Sequence, residues 1–238
     1  MLELQDISFK RDGKHILDHV SFKFEAEKFY VITGPNGSGK STLAKIIMGI
    51  EQPDSGKILL DGKDITHKKI DERSRLGIGF AFQQPVQFKG ITVYDLLKLA
   101  SKKEIGTKEA CQLLSKVGLC AGEYIDREIN GSLSGGELKR IEIASVMAKD
   151  PSVSIFDEPE AGIDLWSFRN LIDVFKQMES YAKGVTIVIS HQERILSIAD
   201  QIIWMDQGKI KQVGSKNAMT HQILMPQKDC PKGVMTCE

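Results

Sequence analysis

The stretch Gly34-Pro35-Asn36-Gly37-Ser38-Gly39-Lys40-Ser41 constrains this chain more than any other. It fits G-x-x-x-x-G-K-[ST] and lies between an apolar run, Phe29-Tyr30-Val31-Ile32, and a helical segment from about Lys40 to Met48. Strand, glycine loop and helix in that order make a phosphate cradle. Glycines let the backbone wrap close to phosphate oxygens, and successive N–H groups converge as an anion nest. The helix adds the positive end of its dipole. Lys40 is the point charge for β- and γ-phosphates, the Ser41 hydroxyl is placed to ligate Mg²⁺, and the nucleotide-binding stretch runs on through Thr42. The bland alternative is a glycine-rich strand–helix turn carrying a surface lysine; eight matching positions in context weigh against it.

Around that loop the chain reads as α/β. From Leu2 to Phe24, apolar and polar residues alternate in short strands with a phase change that implies a bulge, and Asp12-Gly13 is a turn signal. Lys57–Leu60 and Ile78–Phe82 are further strands. The middle of the chain, about 84–150, is mainly helical: Thr92-Val93-Tyr94-Asp95 opens one helix, and Ala110, Leu113, Leu114 and Val117 recur at helical spacing. Strands return at Val153–Phe156, Val185–Ile189 and Ile202–Met205, with a helix over Leu165–Met178. Apolar strands alternating with helices imply a parallel sheet covered on both faces. The expected architecture is one domain over residues 1–238: an α/β core, an antiparallel N-terminal sheet and an inserted helical subdomain.

Composition narrows the function. Lys+Arg and Asp+Glu both number 32, so there is no net positive field for a nucleic acid. Hydrophobic residues make up 41%, enough for a sizeable core. No apolar run reaches the ~18 residues of a membrane span. The start, MLELQDISFKRDG, lacks the pattern of a signal peptide, so a cytoplasmic chain without membrane insertion is expected. Cys111, Cys120, Cys230 and Cys237 are too scattered for a disulfide framework. The last two lie in a segment, 226–238, whose composition suggests a solvated, flexible tail, with transient contact to an iron–sulfur cluster as the functional alternative.

Two further segments carry chemistry. Val153-Ser154-Ile155-Phe156-Asp157-Glu158 is a buried-type strand ending in two acids, which places both at the carboxyl edge of the sheet. Asp157 would hold Mg²⁺ through its water shell, and Glu158 would activate the attacking water. Acids before Pro159 also suit a plain helix start. Leu133-Ser134-Gly135-Gly136-Glu137 precedes a helix; Ser134 and Glu137 form a capping box. Adjacent glycines there also bare the N–H donors of Ser134, Gly135 and Gly136 for a phosphate, at a helix-propensity cost of about 1 kcal/mol each.

With LSGGE lying between the phosphate loop and the carboxylate strand, the chain resembles the ATP-binding-cassette (ABC) ATPases, and the resemblance covers about residues 1–215. Gln83 follows the Ile78–Phe82 strand as the Q-loop glutamine does, Ala161-Gly162-Ile163-Asp164 follows Glu158 as a D-loop, and His191 stands where the switch histidine does. The resemblance implies a P-loop ABC fold with a RecA-like parallel-sheet core. It implies Mg²⁺-dependent ATP hydrolysis, with Glu158, His191 and Gln83 as catalytic groups and Ser41, Gln83 and Asp157 around the metal. It also implies an ATP-dependent head-to-tail dimer in which Ser134-Gly135-Gly136 covers the opposite protomer's nucleotide. Many members stack an early aromatic on adenine; here Arg11 stands near that place. Within the family the chain is most similar to the SufC-type ATPases of iron–sulfur cluster assembly, through Ala81-Phe82-Gln83-Gln84-Pro85-Val86, Leu133–Arg140 and His191-Gln192-Glu193-Arg194-Ile195-Leu196. That likeness implies a soluble SufB/SufD-like scaffold as partner. The other reading is the nucleotide-binding subunit of a membrane transporter. Pro159 is the residue that transporter ATPases use. A chromosome or DNA-repair ATPase would need a long coiled coil, and the about 116 residues between Lys40 and Asp157 leave no room for one. Val86 and Phe88 are read either as a partner's anchor or as a cap on the chain's own core.

Overall fold

Side-chain alternation along the central strands decides the architecture. In the strand Lys28–Thr33, Phe29 and Val31 enter one hydrophobic core, while Tyr30 and Ile32 enter another. The same split separates Phe156 from Ile155, and Val188 from Ile187 and Ile189. A period of two with apolar residues on both faces is the signature of a sheet buried on both sides. The computed structural model describes residues 1–84, 86, 88–181, 184–216, 218 and 219. Pro85, Gln87 and the expected flexible tail at 226–238, with Cys230 and Cys237, lie outside the described residues.

In chain order the elements are β1 (Leu2–Arg11), β2 (Lys14–Phe24), β3 (Lys28–Thr33), α1 (Lys40–Met48), β4 (Ser55–Leu60), β5 (Lys63–Asp64), α2 (Ile70–Arg75), β6 (Ile78–Ala81), α3 (Val93–Ala100), α4 (Thr107–Lys116), α5 (Ala121–Tyr124), α6 (Gly135–Lys149), β7 (Val153–Asp157), α7 (Leu165–Tyr181), β8 (Val185–Ile189), α8 (Glu193–Leu196), β9 (Gln201–Asp206) and β10 (Lys209–Gly214). The central sheet runs β10-β9-β3-β8-β7-β6. Its strands β6, β7, β8, β3 and β9 are parallel, and β10 pairs antiparallel with β9 at the edge. A second, antiparallel sheet runs β2-β1-β4-β5. One core lies under α3, α4, α6 and α7; the other lies between the two sheets and against α1.

The expected α/β class, antiparallel N-terminal sheet and helical stretch all appear. The short strands expected over Leu2–Phe24 are instead two long ones, of 10 and 11 residues, joined at Asp12-Gly13. The phase change is a bulge: the register shifts between Leu4 and Ile7, where Asp6 takes a φ of 56°. The strand expected to reach Phe82 stops at Ala81, because the backbone of Phe82 bonds to side chains of α6 instead. Among the described residues no helix is long and apolar enough to cross a membrane.

Arg73, in α2, is the largest fully buried side chain among the described residues. Its Nη1 donates to the carbonyls of Ile46 (2.7 Å) and Ile47 (2.8 Å), its Nε to Lys68 (3.0 Å) and its Nη2 to Thr66. The Ile47 carbonyl is one that α1 leaves open at its C-terminus, and the Ile46 carbonyl also accepts from Gly49 N–H at 3.1 Å, so Arg73 helps to close the helix that follows the phosphate loop. Burial lowers the guanidinium pKa to about 10, which leaves it charged at neutral pH. Replacing Arg73 by Met takes the guanidinium donors away from four carbonyls in a largely dry interior, of which only that of Ile46 keeps its bond from Gly49 N–H. The expected loss is about 3 kcal/mol of stability, read from urea unfolding. An unfolding midpoint equal to wild type would show that water replaces the guanidinium.

Candidate active site

Parallel strands deliver their carboxyl ends to one edge, and the register lines them up. Ala81 pairs with Phe156, Asp157 with Ile189 and Ile189 with Ile32. Past those pairs come Gln83, Glu158, His191 and the glycine loop. These residues therefore lie at the carboxyl edge of the sheet, as strand direction leads one to expect.

The loop is shaped by two glycines that nothing else can replace. Gly34 has a φ of 141°, and a Cβ there would lie 1.9 Å from the Met205 carbonyl oxygen. Gly39 has a φ of 98° and is the N-cap of α1; a Cβ there would lie 2.6 Å from the Ile16 carbonyl oxygen. Lys40, the first residue of α1, is only 5% exposed, and its Nζ donates to the carbonyls of Gly34 (2.8 Å) and Pro35 (2.9 Å). An ammonium has three donors, so two bonds leave one for an anion. Burial pulls the Lys40 pKa down, while Glu158 and Asp157 oppose that. The Ser38 hydroxyl is buried without a hydrogen-bond partner among the described residues. A buried orphan hydroxyl beside a free ammonium donor, on a left-handed glycine loop, fits a bound phosphate chain.

Ser41 Oγ donates to Asp157 Oδ1 at 2.9 Å. Asp157 is buried, which pushes its pKa up, and the Ser41 bond pulls the other way. These hard oxygens suit Mg²⁺, which takes one or two protein oxygens and completes its octahedron from phosphate and water. Among the described residues no group of three or more His, Cys, Asp and Glu could cage a metal alone, so the ion would depend on the nucleotide.

Glu158 sits in the left-handed region at a φ of 45°, a conformation that costs about 1 kcal/mol for a residue with a side chain. Its N–H donates to the Ile189 carbonyl at 3.0 Å, which ties the turn to β8. Gln83 Nε2 donates to Glu158 Oε2 at 2.6 Å. The structure therefore brings Gln83 to Glu158; no hydrogen bond among the described residues joins it to the Ser41–Asp157 pair. His191 Nδ1 lies 3.5 Å from Thr33 Oγ1. Burial, then the Lys40 charge, hold the imidazole pKa below its ordinary value, so His191 is neutral at pH 7.

Ser134 caps α6: its Oγ accepts from Glu137 N at 3.3 Å, and Glu137 accepts from Ser134 N at 2.6 Å. The capping box is real, and it leaves Gly135 unexplained. Gly135 has no positive φ, and a Cβ there would meet only the Gly162 carbonyl, at an ordinary 3.6 Å. Nothing among the described residues of the protomer demands glycine at that position. Among the described residues no hydrogen bond links Ser134, Gly135 or Gly136 to the phosphate loop. Arg11 pairs with Glu51 and lies over the Phe9 ring, 5.6 Å from its centroid.

Sequence reasoning missed three groups beside the site. Thr33 faces His191. Glu160 is half-buried with its carboxylate turned from solvent, which raises its pKa, and it accepts from the Ser190 hydroxyl. Lys139 and Glu142 hold the backbone of Phe82. Lys139 was visible in the sequence only as one of two basic residues after LSGGE; its burial had no sequence signal.

Comparison with known proteins follows the same line. The family model described as ABC transporter matches residues 17–161. An uncharacterized ABC transporter ATP-binding protein of Methanocaldococcus jannaschii is 38% identical over 223 residues, covering 90% of this chain and 88% of that one. The spermidine/putrescine import ATP-binding protein PotA of Mesoplasma florum is 32% identical over 221 residues, covering 90% of this chain and 61% of that longer one. Among solved structures, a dimeric post-hydrolysis ATP-binding cassette bound to ADP and Pi superposes with a TM-score of 0.80 at 22% identity, covering 91% of this chain and 99% of that one.

Proposed function

The chain belongs to the ABC transporter family of ATPases, and from that premise we propose that it is the nucleotide-binding subunit of a transporter whose membrane-spanning parts are separate chains. The observation that carries the chemistry is the meeting, at one sheet edge, of the phosphate loop, the Ser41–Asp157 pair and the Gln83–Glu158 pair. The names of the relatives support the transporter setting over the iron–sulfur assembly suggested by local strings such as Leu133–Arg140.

On this reading residues 1–238 form one cassette with its helical subdomain over 84–150. The stretch from Gly34 to Thr42 binds the phosphates, and Lys40 neutralises the β- and γ-oxygens. Ser41, Asp157 and Gln83 are the groups that would stand around Mg²⁺, which spreads the charge on the phosphate oxygens. Glu158 takes the proton of the attacking water. Gln83 orients Glu158 through the hydrogen bond between them, and neutral His191 offers a donor or acceptor to the γ-phosphate. Ser134, Gly135 and Gly136 serve the nucleotide of a second copy, which explains a glycine that the protomer itself does not need. Replacing Lys40 by Ala should weaken ATP binding about 10- to 100-fold, measured by titration calorimetry. Affinity within twofold of wild type would remove the loop from the reading.

The partner surface lies after β6. Phe82, Val86 and Phe88 are 39%, 48% and 36% exposed, and neither Val86 nor Phe88 joins the described cores, which supports a partner's anchor over a cap on the chain's own interior. Exposed apolar side chains beside the Gln83–Glu158 pair suit a docking site that senses nucleotide state. Affinity purification of the full chain should bring down a polytopic membrane protein. Phe88→Asp should lose it while keeping its melting temperature and ATP affinity. Capture of a soluble SufB/SufD-like scaffold instead would return the chain to iron–sulfur assembly; undiminished capture by the variant would move the docking site elsewhere.

A further inference from the structure

Lys139 and Glu142 stand one helical turn apart on α6, and both side chains are almost out of water, at 2% and 13% exposure. Lys139 Nζ lies 3.6 Å from Glu142 Oε2. The two do not simply pair with each other. Lys139 Nζ donates to the Phe82 carbonyl, and Glu142 Oε1 accepts from the Phe82 N–H at 2.8 Å. Both backbone polar groups of one residue are thus held by one charged pair, at the point where β6 stops. The next residue is Gln83, whose amide reaches Glu158. We propose that the Lys139–Glu142 pair is a positioning clamp: it fixes the Phe82 peptide, sets where Gln83 meets Glu158, and transmits displacements of α6 to that contact.

Three observations favour a positioning role over simple satisfaction of a strand end. First, the arrangement is costly. Burial drives the Lys139 pKa down and the Glu142 pKa up, the sign of the desolvation that opposes each charge there. Glu142 Oε2 is buried with no hydrogen-bond partner among the described residues. A strand end could pair with backbone or water without charges, and apolar replacements of a buried ion pair are often neutral or stabilising. Second, the clamp is stiff. Two bonds from a single helix hold the two successive peptide groups that flank Phe82, the second of which is shared with Gln83, as one bond would not. Third, α6 begins at Ser134-Gly135-Gly136. Any displacement of that end by a captured nucleotide would pass along the helix to both clamp residues, and hence to Gln83. Among the described residues no other charged group joins α6 to the backbone beside Gln83.

The proposal rests on the ATPase reading, and a mutant cycle separates the two. The set is Gln83→Ala, the double variant Lys139→Met/Glu142→Leu, and the triple. If the pair acts through Gln83, the double variant keeps a KM for ATP within about twofold of wild type and loses kcat about tenfold or more, since small misplacements near the chemistry are expensive. The triple variant then turns over no more slowly than Gln83→Ala, because the clamp has nothing left to position. A triple variant whose loss is the product of the other two overturns the proposal, and so does a double variant with wild-type kcat. Glu158→Gln in the same assay tests the ATPase reading independently: if it turns over normally, that reading fails whatever the cycle shows. A second measurement needs no variant. The Phe82 amide in the wild-type protein should exchange with deuterium about 100-fold more slowly than an open loop amide, being held by the Glu142 carboxylate. Exchange at the unprotected rate overturns the clamp even if the double variant fails to fold.

Discussion

Glu158→Gln should bind ATP as tightly as the wild type and hydrolyse it about 10²- to 10⁴-fold more slowly, the range that a positioned general base contributes. The geometry makes this a clean substitution. The Glu158 backbone is held by its N–H bond to Ile189, in a left-handed turn that the new side chain does not alter. A glutamine oxygen can still accept from Gln83 Nε2, which now reaches Glu158 Oε2. What is lost is only the ability to take a proton. Binding groups on the loop are untouched, so nucleotide accumulates in the unreacted state, and if ATP joins two protomers the variant should elute as a dimer in Mg-ATP and as a monomer in ADP. Turnover near the wild-type rate would show that Glu158 is not the base and that its strained backbone serves another end.

How much of this was legible in the residues depends on whether the signal was local. The loop from Gly34 to Ser41 was, because strand, glycines and helix start each leave a mark within a few positions. So was the edge location of Asp157, Glu158 and His191, since parallel strands must end on the same side. The antiparallel strand β10 was not: Lys209-Ile210-Lys211-Gln212-Val213-Gly214 is polar and reads as a loop until β9 supplies a partner. Helix α2 was hidden by its length, too short for a periodic pattern, and Arg73 on it looks like any surface charge. Lys139 and Glu142 are alike in this respect, since their burial depends on a strand end 60 residues away in the chain. The partner is less legible still. Transporters and scaffold-bound ATPases need the same phosphate loop, acids and glutamine, so nothing in those groups distinguishes them. Similarity extending over 223 residues does bear on it, because it includes the surfaces that the catalytic motifs leave out.

The second large effect concerns the dimer. Ser134→Arg chains and Lys40→Ala chains should each be inactive alone, and an equal mixture should recover activity. In a head-to-tail pair every site combines the loop of one protomer with the Ser134–Gly136 corner of the other. Arginine at Ser134 blocks the corner and spares its own loop; alanine at Lys40 disables the loop and spares its own corner. In a mixed dimer one site inherits both lesions and the other inherits neither. Random pairing makes half the dimers mixed, so about a quarter of all sites are intact, and turnover should approach a quarter of wild type if one site works alone. The capping role of Ser134 must be controlled, since its Oγ bonds Glu137 N and its loss weakens the start of α6 by about 1 kcal/mol. Ser134→Ala carries that structural cost without the bulky cation and should keep most of the activity. Co-capture of two differently tagged variants shows that mixed dimers form. If they form and no activity returns at any ratio, Ser134, Gly135 and Gly136 do not complete a partner's site, and the glycine that nothing in the protomer requires must be explained in another way.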